Sequence, residues 1–223
     1  MKNSKLRRIL LLLVCAVLLV SLSVGATLAY LTSTTQTVKN TFTVGNVEIT
    51  LDEAKVNEYG EVVTGADRVT ANTYKLLPGR TYVKDPIVHV KAGSERCYVR
   101  VEVKVSDIDK VKQAFPADKY PTFYQGELFL LQSLVQGWDK TLWPCVSYEN
   151  GTYGFWYANI MDAREAARDT AAVFSAIKVP ETADNDAIKL LDGVTVDVVG
   201  YAIQADGFAD AAAAWAAYST QHP

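Results

Sequence analysis

The chain has 223 residues, 49% of them hydrophobic and 21% charged, with a formal net charge of −3. That is enough for one sizeable domain with a single core, and too apolar for a disordered chain. The charge is uneven: Lys2, Lys5, Arg7 and Arg8 are the only charges among residues 1–29, and the remaining 18 basic residues face all 25 acidic ones, a formal charge of −7. An acidic surface of this kind argues against nucleic acid or an anionic membrane as a partner.

The first segment reads as an export device. A basic start at residues 5–8 precedes an uninterrupted apolar run at 9–20, the length of a secretory signal's apolar region. Thr27 and Ala29 then place small residues at the −3 and −1 positions of a cut before Tyr30. Residues 1–29 are therefore expected to be a signal peptide, with a signal peptidase as the partner during export and membrane contact only through the leader before cleavage. The alternative is an uncleaved anchor, because no charge appears between Arg8 and Lys39. Cys15 lies inside the leader with Val14 before it, which does not fit a lipoprotein cysteine. Cys97 and Cys145 remain as an even pair, compatible with one disulfide outside the cell, worth roughly 4 kcal/mol in the chain-entropy picture, or with two buried thiols.

Residues 30–41 form a Thr- and Ser-rich arm with little apolar periodicity. From residue 42 onward the chain reads as one β-rich domain, 42–223. Phe42 and Val44, then Val47, Ile49 and Leu51, alternate with polar residues as in a half-buried strand, with Gly45 and Asn46 at a bulge. Residues 52–71 are polar and predict a long hairpin loop or a small excursion, and Leu77, Pro78 and Gly79 predict a tight turn. Residues 87–90 and 98–105 are the clearest strands, the second with Val99, Val101, Val103 and Val105 on one face and Tyr98, Arg100, Glu102 and Lys104 on the other. Ser106 or Asp107 caps a short helix carrying Ile108, Val111 and Phe115, which Pro116 ends.

Residues 123–135 are apolar, as a helix or as a buried excursion. Runs at 142–148 and 152–158 flank Asn150-Gly151, a strong signal for a hairpin with a type I′ turn. Residues 161–172 have helical composition, 173–179 return to the sheet, and 184–191 form a capped helical turn ending at Gly193. A last strand at 194–205 leads to a closing helix with Phe208, Ala211, Ala212, Trp215 and Tyr218 as its apolar stripe. Strands with short inserted helices, without βαβ alternation, predict a mainly β fold: an antiparallel β-sandwich with a C-terminal helix.

Five stretches together carry a resemblance: TLAYLTSTTQTVKNTFTVGNVEITL, LLPGRTYVKDPIVHV, CYVRVEVKV, NGTYGFWYANI and VVGYAIQADGFADAAAAWAAY. The chain resembles the TasA and camelysin family, bacterial exported proteins with a SipW-type signal peptide. The resemblance implies a jelly-roll-like sandwich, export from a Gram-positive-type cell, processing by a dedicated signal peptidase, and assembly with itself or a related subunit into extracellular fibres of the biofilm matrix. It also implies that the released arm acts as a donor strand, with Tyr30, Leu31, Val38, Phe42 and Val44 as its side chains, by β-augmentation.

The camelysin name carries a metallopeptidase label. The residues argue otherwise: zinc hydrolysis needs three protein ligands and a general base, and the chain has only His89 and His222 and no HExxH. No catalytic residue, metal site or cofactor is expected. Asp184, Asp186 and Asp192 read as caps and turns. The aromatic group Tyr148, Tyr153, Phe155, Trp156 and Tyr157 reads mainly as packing, with a carbohydrate- or surface-binding platform as the alternative. A secreted structural subunit is thus the leading expectation, beside a secreted metallopeptidase and a monomeric binding sandwich.

Overall fold

The strictly alternating stretch CYVRVEVKV forms a nine-residue strand with partners on both of its edges. The computed structural model describes residues 46–120 and 133–221. In chain order its strands are β1 (Ile49–Asp52), β2 (Thr81–Val83), β3 (Ile87–Val90), β4 (Cys97–Val105), β5 (Val135–Gln136), β6 (Cys145–Glu149), β7 (Thr152–Trp156), β8 (Arg168–Asp169), β9 (Ala176–Lys178) and β10 (Val196–Gln204). The helices are α1 (Ile108–Ala114), α2 (Asn185–Leu190) and α3 (Ala211–Gln221). All strand pairs are antiparallel, in sheets ordered β10-β4-β7-β6, β1-β3-β8 and β2-β9-β5. This is the expected mainly β sandwich with short helices between strands and one at the C-terminal end.

The four-stranded sheet turns Val99, Val101 and Val103 of β4 and Tyr153 and Phe155 of β7 inward, against Val88 and Val90 of β3. Val47, Ile49 and Leu51 pack on the same core from β1 and the residues before it, so their predicted alternation holds from residue 47 on. Gly200 of β10 lies where the two sheets meet. A Cβ there would stand 3.3 Å from Val88 Cγ2, 3.5 Å from Leu51 Cδ1 and 3.6 Å from Ile49 Cδ1, so the glycine permits close approach of the two layers. A second core of Tyr82, Val111, Phe115, Val179 and Leu191 lies beneath α1 and α2.

Local chemistry explains the ends of these elements. Asp107 caps α1 by accepting from the Lys110 N–H, and Asp184 caps α2 through the Ala187 N–H at 2.9 Å. Asn150 and Gly151 both take positive φ, 48° and 80°, as a type I′ hairpin requires. The polar excursion after β1 folds back through bridges Glu53–Val69 and Val56–Val62.

Two sequence expectations need correction. Residues 161–172 are not helical: Met161 bridges to Cys97, Ala163 is buried, β8 pairs with β3, and the Thr170 N–H donates to the Val88 carbonyl at 2.9 Å. Strong helix formers here lose to backbone pairing along a sheet edge, a tertiary override of propensity. On α3 the inward stripe is Ala211, Ala214, Trp215 and Tyr218, whereas Ala212 is exposed and Phe208 lies in the turn before the helix. At about 100° per residue, a stripe centred on Ala211, Trp215 and Tyr218 lies closer to position 214 than to position 212. Residues 121–132, most of the ambiguous apolar stretch, lie outside the described residues.

Candidate functional site

The candidate cleavage residues Thr27, Ala29 and Tyr30, and the candidate arm residues Leu31, Val38, Phe42 and Val44, lie outside the described residues. Cys97 and Cys145 are described, and both are free thiols; the disulfide that their even number allowed is not formed. Register gives the reason. Cys145 pairs with Phe155, Phe155 pairs with Val101, and Cys97 begins β4 on the far side of Val101. Two inter-strand steps of about 4.8 Å plus four residues along a strand far exceed the roughly 7 Å that a disulfide can span. Burial pushes the Cys97 thiol up to about 11, which leaves it an inert, protonated core residue.

The described feature that best fits assembly is the edge formed by β10. This nine-residue strand pairs with β4 along its whole length and lies at the end of its sheet. Among the described residues no strand pairs with its other edge. It carries no Lys, no Pro and no bulge, its one charge is Asp197, and Val199 is 47% exposed on its outer face. The opposite edge of the same sheet is β6, shorter and broken by a register shift between Cys145 and Ser147. A bulge of that kind twists an edge away from further pairing. Sequence reasoning identified β10 as a strand but had no means of placing it at an edge.

On the outer face of the sheet, Arg100 stacks on Tyr201, Trp215 and Tyr218 at 4.8, 5.0 and 5.6 Å and pairs with Glu102 at 3.0 Å. These contacts fasten α3 across β4 and β10. Trp156, opposite Arg100, is part of the lining of a shallow groove beside Trp215, whereas Tyr153 and Phe155 of the same strand are buried in the core. The aromatic cluster of the sequence is therefore split between two faces, as strand alternation requires.

His89 of β3 stands between two carboxylates: Nδ1 faces Asp169 of β8 at 2.7 Å, and Nε2 faces Asp52 of β1 at 3.0 Å. Arg68 adds a bond to Asp52 at 2.5 Å and one to Asp85 at 2.9 Å. Both imidazole nitrogens donate only when the ring is protonated, so the charged ring clips three strands together. Partial burial pulls the His89 pKa down, but the hydrogen bonds and charges of Asp52 and Asp169 outweigh it and hold it above the ordinary 6.5. Asp52, although desolvation opposes it, is held below its ordinary 3.8 by Arg68 and His89.

The sign of the pH effect follows. The His89 contribution is complete below 6.5 and is lost as pH rises through its raised value; the Asp52 contribution is complete above 3.8 and is lost as pH falls through its lowered one. We expect the denaturation midpoint to fall as pH rises from 6.5 upward through the raised His89 value, and His89→Gln to flatten that limb. An unchanged pH profile in the variant would count against the clip.

Among the described residues no three His, Cys, Asp or Glu side chains form a metal-ligand group, and no helix is long and apolar enough to cross a membrane. Comparison with protein-family profiles, curated proteins and solved structures gives no match to the chain.

Proposed function

We propose that the protein is an exported structural subunit of an extracellular matrix or cell surface, assembled by strand addition between copies or with a related subunit. The observation that carries this reading is the open edge of β10, nine residues long and without a pairing strand among the described residues. An extended segment added there gains main-chain hydrogen bonds for affinity and alternate side-chain contacts for register. The export leader and the arm at 30–44 supply the matching sequence element: a segment freed by cleavage before Tyr30, with no periodicity that commits it to a helix. The resemblance to the TasA and camelysin family points the same way. On this reading the protein is secreted, and it is not an enzyme.

Two changes test it. Deleting residues 30–40 removes the donor, and Val199→Lys places a charge on the acceptor at an exposed position where the fold tolerates it. Electron microscopy and sedimentation of secreted protein are expected to show fibres or oligomers for the parent chain and monomers for the deletion. Val199→Lys is expected to weaken association by about tenfold, roughly 1.4 kcal/mol. Assembly that survives both changes unaltered overturns the strand-addition reading.

A further inference from the structure

Three side chains meet in the core behind the excursion that follows β1. Lys84, just after β2, is 7% exposed, and Glu53, just after β1, is 5% exposed. Lys84 Nζ donates to Glu53 Oε2 at 2.7 Å, and Asn72 Nδ2 donates to the other oxygen, Glu53 Oε1, at 3.0 Å. One carboxylate thus holds an amine and a carboxamide side by side. The amide is fixed at both of its ends, since Nδ2 also donates to the Ala54 carbonyl at 2.9 Å and Oδ1 accepts from the Val56 N–H at 3.0 Å. Tyr74, whose hydroxyl is pushed above its ordinary range by burial and then by the charge of Glu53, closes one side.

A buried ion pair with a carboxamide on the same carboxylate is an expensive way to fill a core, because both charges are desolvated. The geometry points to a modification site: Lys84 and Asn72 are the reactants of an intramolecular amide bond, with Glu53 as the proton carrier. The reaction begins with one proton passing from the Lys84 ammonium to Glu53 along their hydrogen bond, leaving a neutral amine and a neutral acid. The amine lone pair attacks Asn72 Cγ. Negative charge develops on Oδ1, where the Val56 N–H already points, as an oxyanion-stabilising donor must. Glu53, within hydrogen-bond reach of Nδ2, gives its proton to that nitrogen and takes one from the attacking nitrogen. The Cγ–Nδ2 bond breaks and ammonia leaves, taking the last proton from Glu53 as ammonium. In net terms, an ammonium and a carboxamide become a secondary amide and an ammonium ion, with one C–N bond formed, one broken and no change in oxidation state. Half-buried Asn72 gives the ammonia a way out.

The bond would join the segment after the excursion to the end of β2 by a link that denaturants do not break. The proposal does not rest on the assembly reading, since the chemistry lies within one chain.

The test is mass spectrometry of tryptic fragments from the purified full chain. An acylated Lys84 is not cut, so the expected product is a branched peptide of residues 69–75 joined to residues 81–91, one ammonia lighter than the sum of the two. A succinimide at Asn72 also loses ammonia but leaves two linear peptides. Recovery of unmodified linear 69–75 together with cleavage after Lys84 overturns the proposal. Asn72→Ala keeps the Lys84–Glu53 pair and is expected to show normal cleavage at Lys84; a branched peptide in that variant also overturns it. Glu53→Gln, shown folded by near-UV circular dichroism, is expected to lose the branched peptide, and full cross-linking there would remove Glu53 from the mechanism.

Discussion

Trp143→Ala is expected to lower the unfolding free energy by about 4 kcal/mol, as truncation of a fully buried aromatic does when the site cannot collapse. Trp143 is 0% exposed, its ring lies 4.7 Å from that of Tyr157, and its indole N–H donates to the Ala171 carbonyl at 3.0 Å. The residue pins the segment leading into β9 to the main core, so its loss removes both packing and the partner of a carbonyl. Against a total of about 5–15 kcal/mol for a domain of this kind, one substitution brings the fold close to its limit. Trp143→Phe keeps most of the apolar contact and is expected to cost about 1–3 kcal/mol through the unpaired carbonyl. Urea denaturation checks both, and a loss under about 1 kcal/mol for the alanine variant would show that this indole does not anchor the core.

On an Asn72→Ala background, where Lys84 remains an ammonium, Lys84→Met is expected to cost about 3–5 kcal/mol, because it leaves the Glu53 carboxylate buried without its cation. Glu53→Leu alone strands the ammonium in the same way. Combining Glu53→Leu with Lys84→Met is expected to cost less than either change alone, since no unpaired charge remains. Measuring this cycle on the Asn72→Ala background isolates the ion pair from any covalent link between Lys84 and Asn72. Strict additivity of the two changes would show that the pair contributes no coupling.

Where local chemistry is unambiguous, the chain declares its structure. The alternation of residues 98–105, the Asn150-Gly151 turn, the Asp107 and Asp184 caps and the Pro78-Gly79 turn all stand where residue type places them. Each depends on neighbours within a few residues, and their physics is complete within that window. The segment at 161–172 departs from expectation because Ala, Arg and Glu favour a helix only while nothing competes for the backbone. Here the edges of β3 and β4 do compete, and they win at Met161, Arg168 and Thr170.

The candidate sites divide in the same way. His89 was visible as a solitary histidine in a strand, but its two carboxylates come from positions 37 and 80 residues away, and no spacing rule connects them. Glu53, Asn72 and Lys84 likewise have no sequence signature, because none of the three is unusual until the excursion folds back beside β2. For the two cysteines, parity left a disulfide and two thiols both open, and strand register is what keeps the thiols apart.

By itself, then, the sequence determined the mainly β class, the alternation that separates core from surface, and the turns and caps, since each is written in local residue order. Tertiary structure alone decided which strands became edges, which thiols stayed apart, and which distant charges share a carboxylate. Those outcomes depend on which faces and edges are left once the apolar surfaces of two sheets have closed at Gly200, a matter of long-range packing that no local window contains.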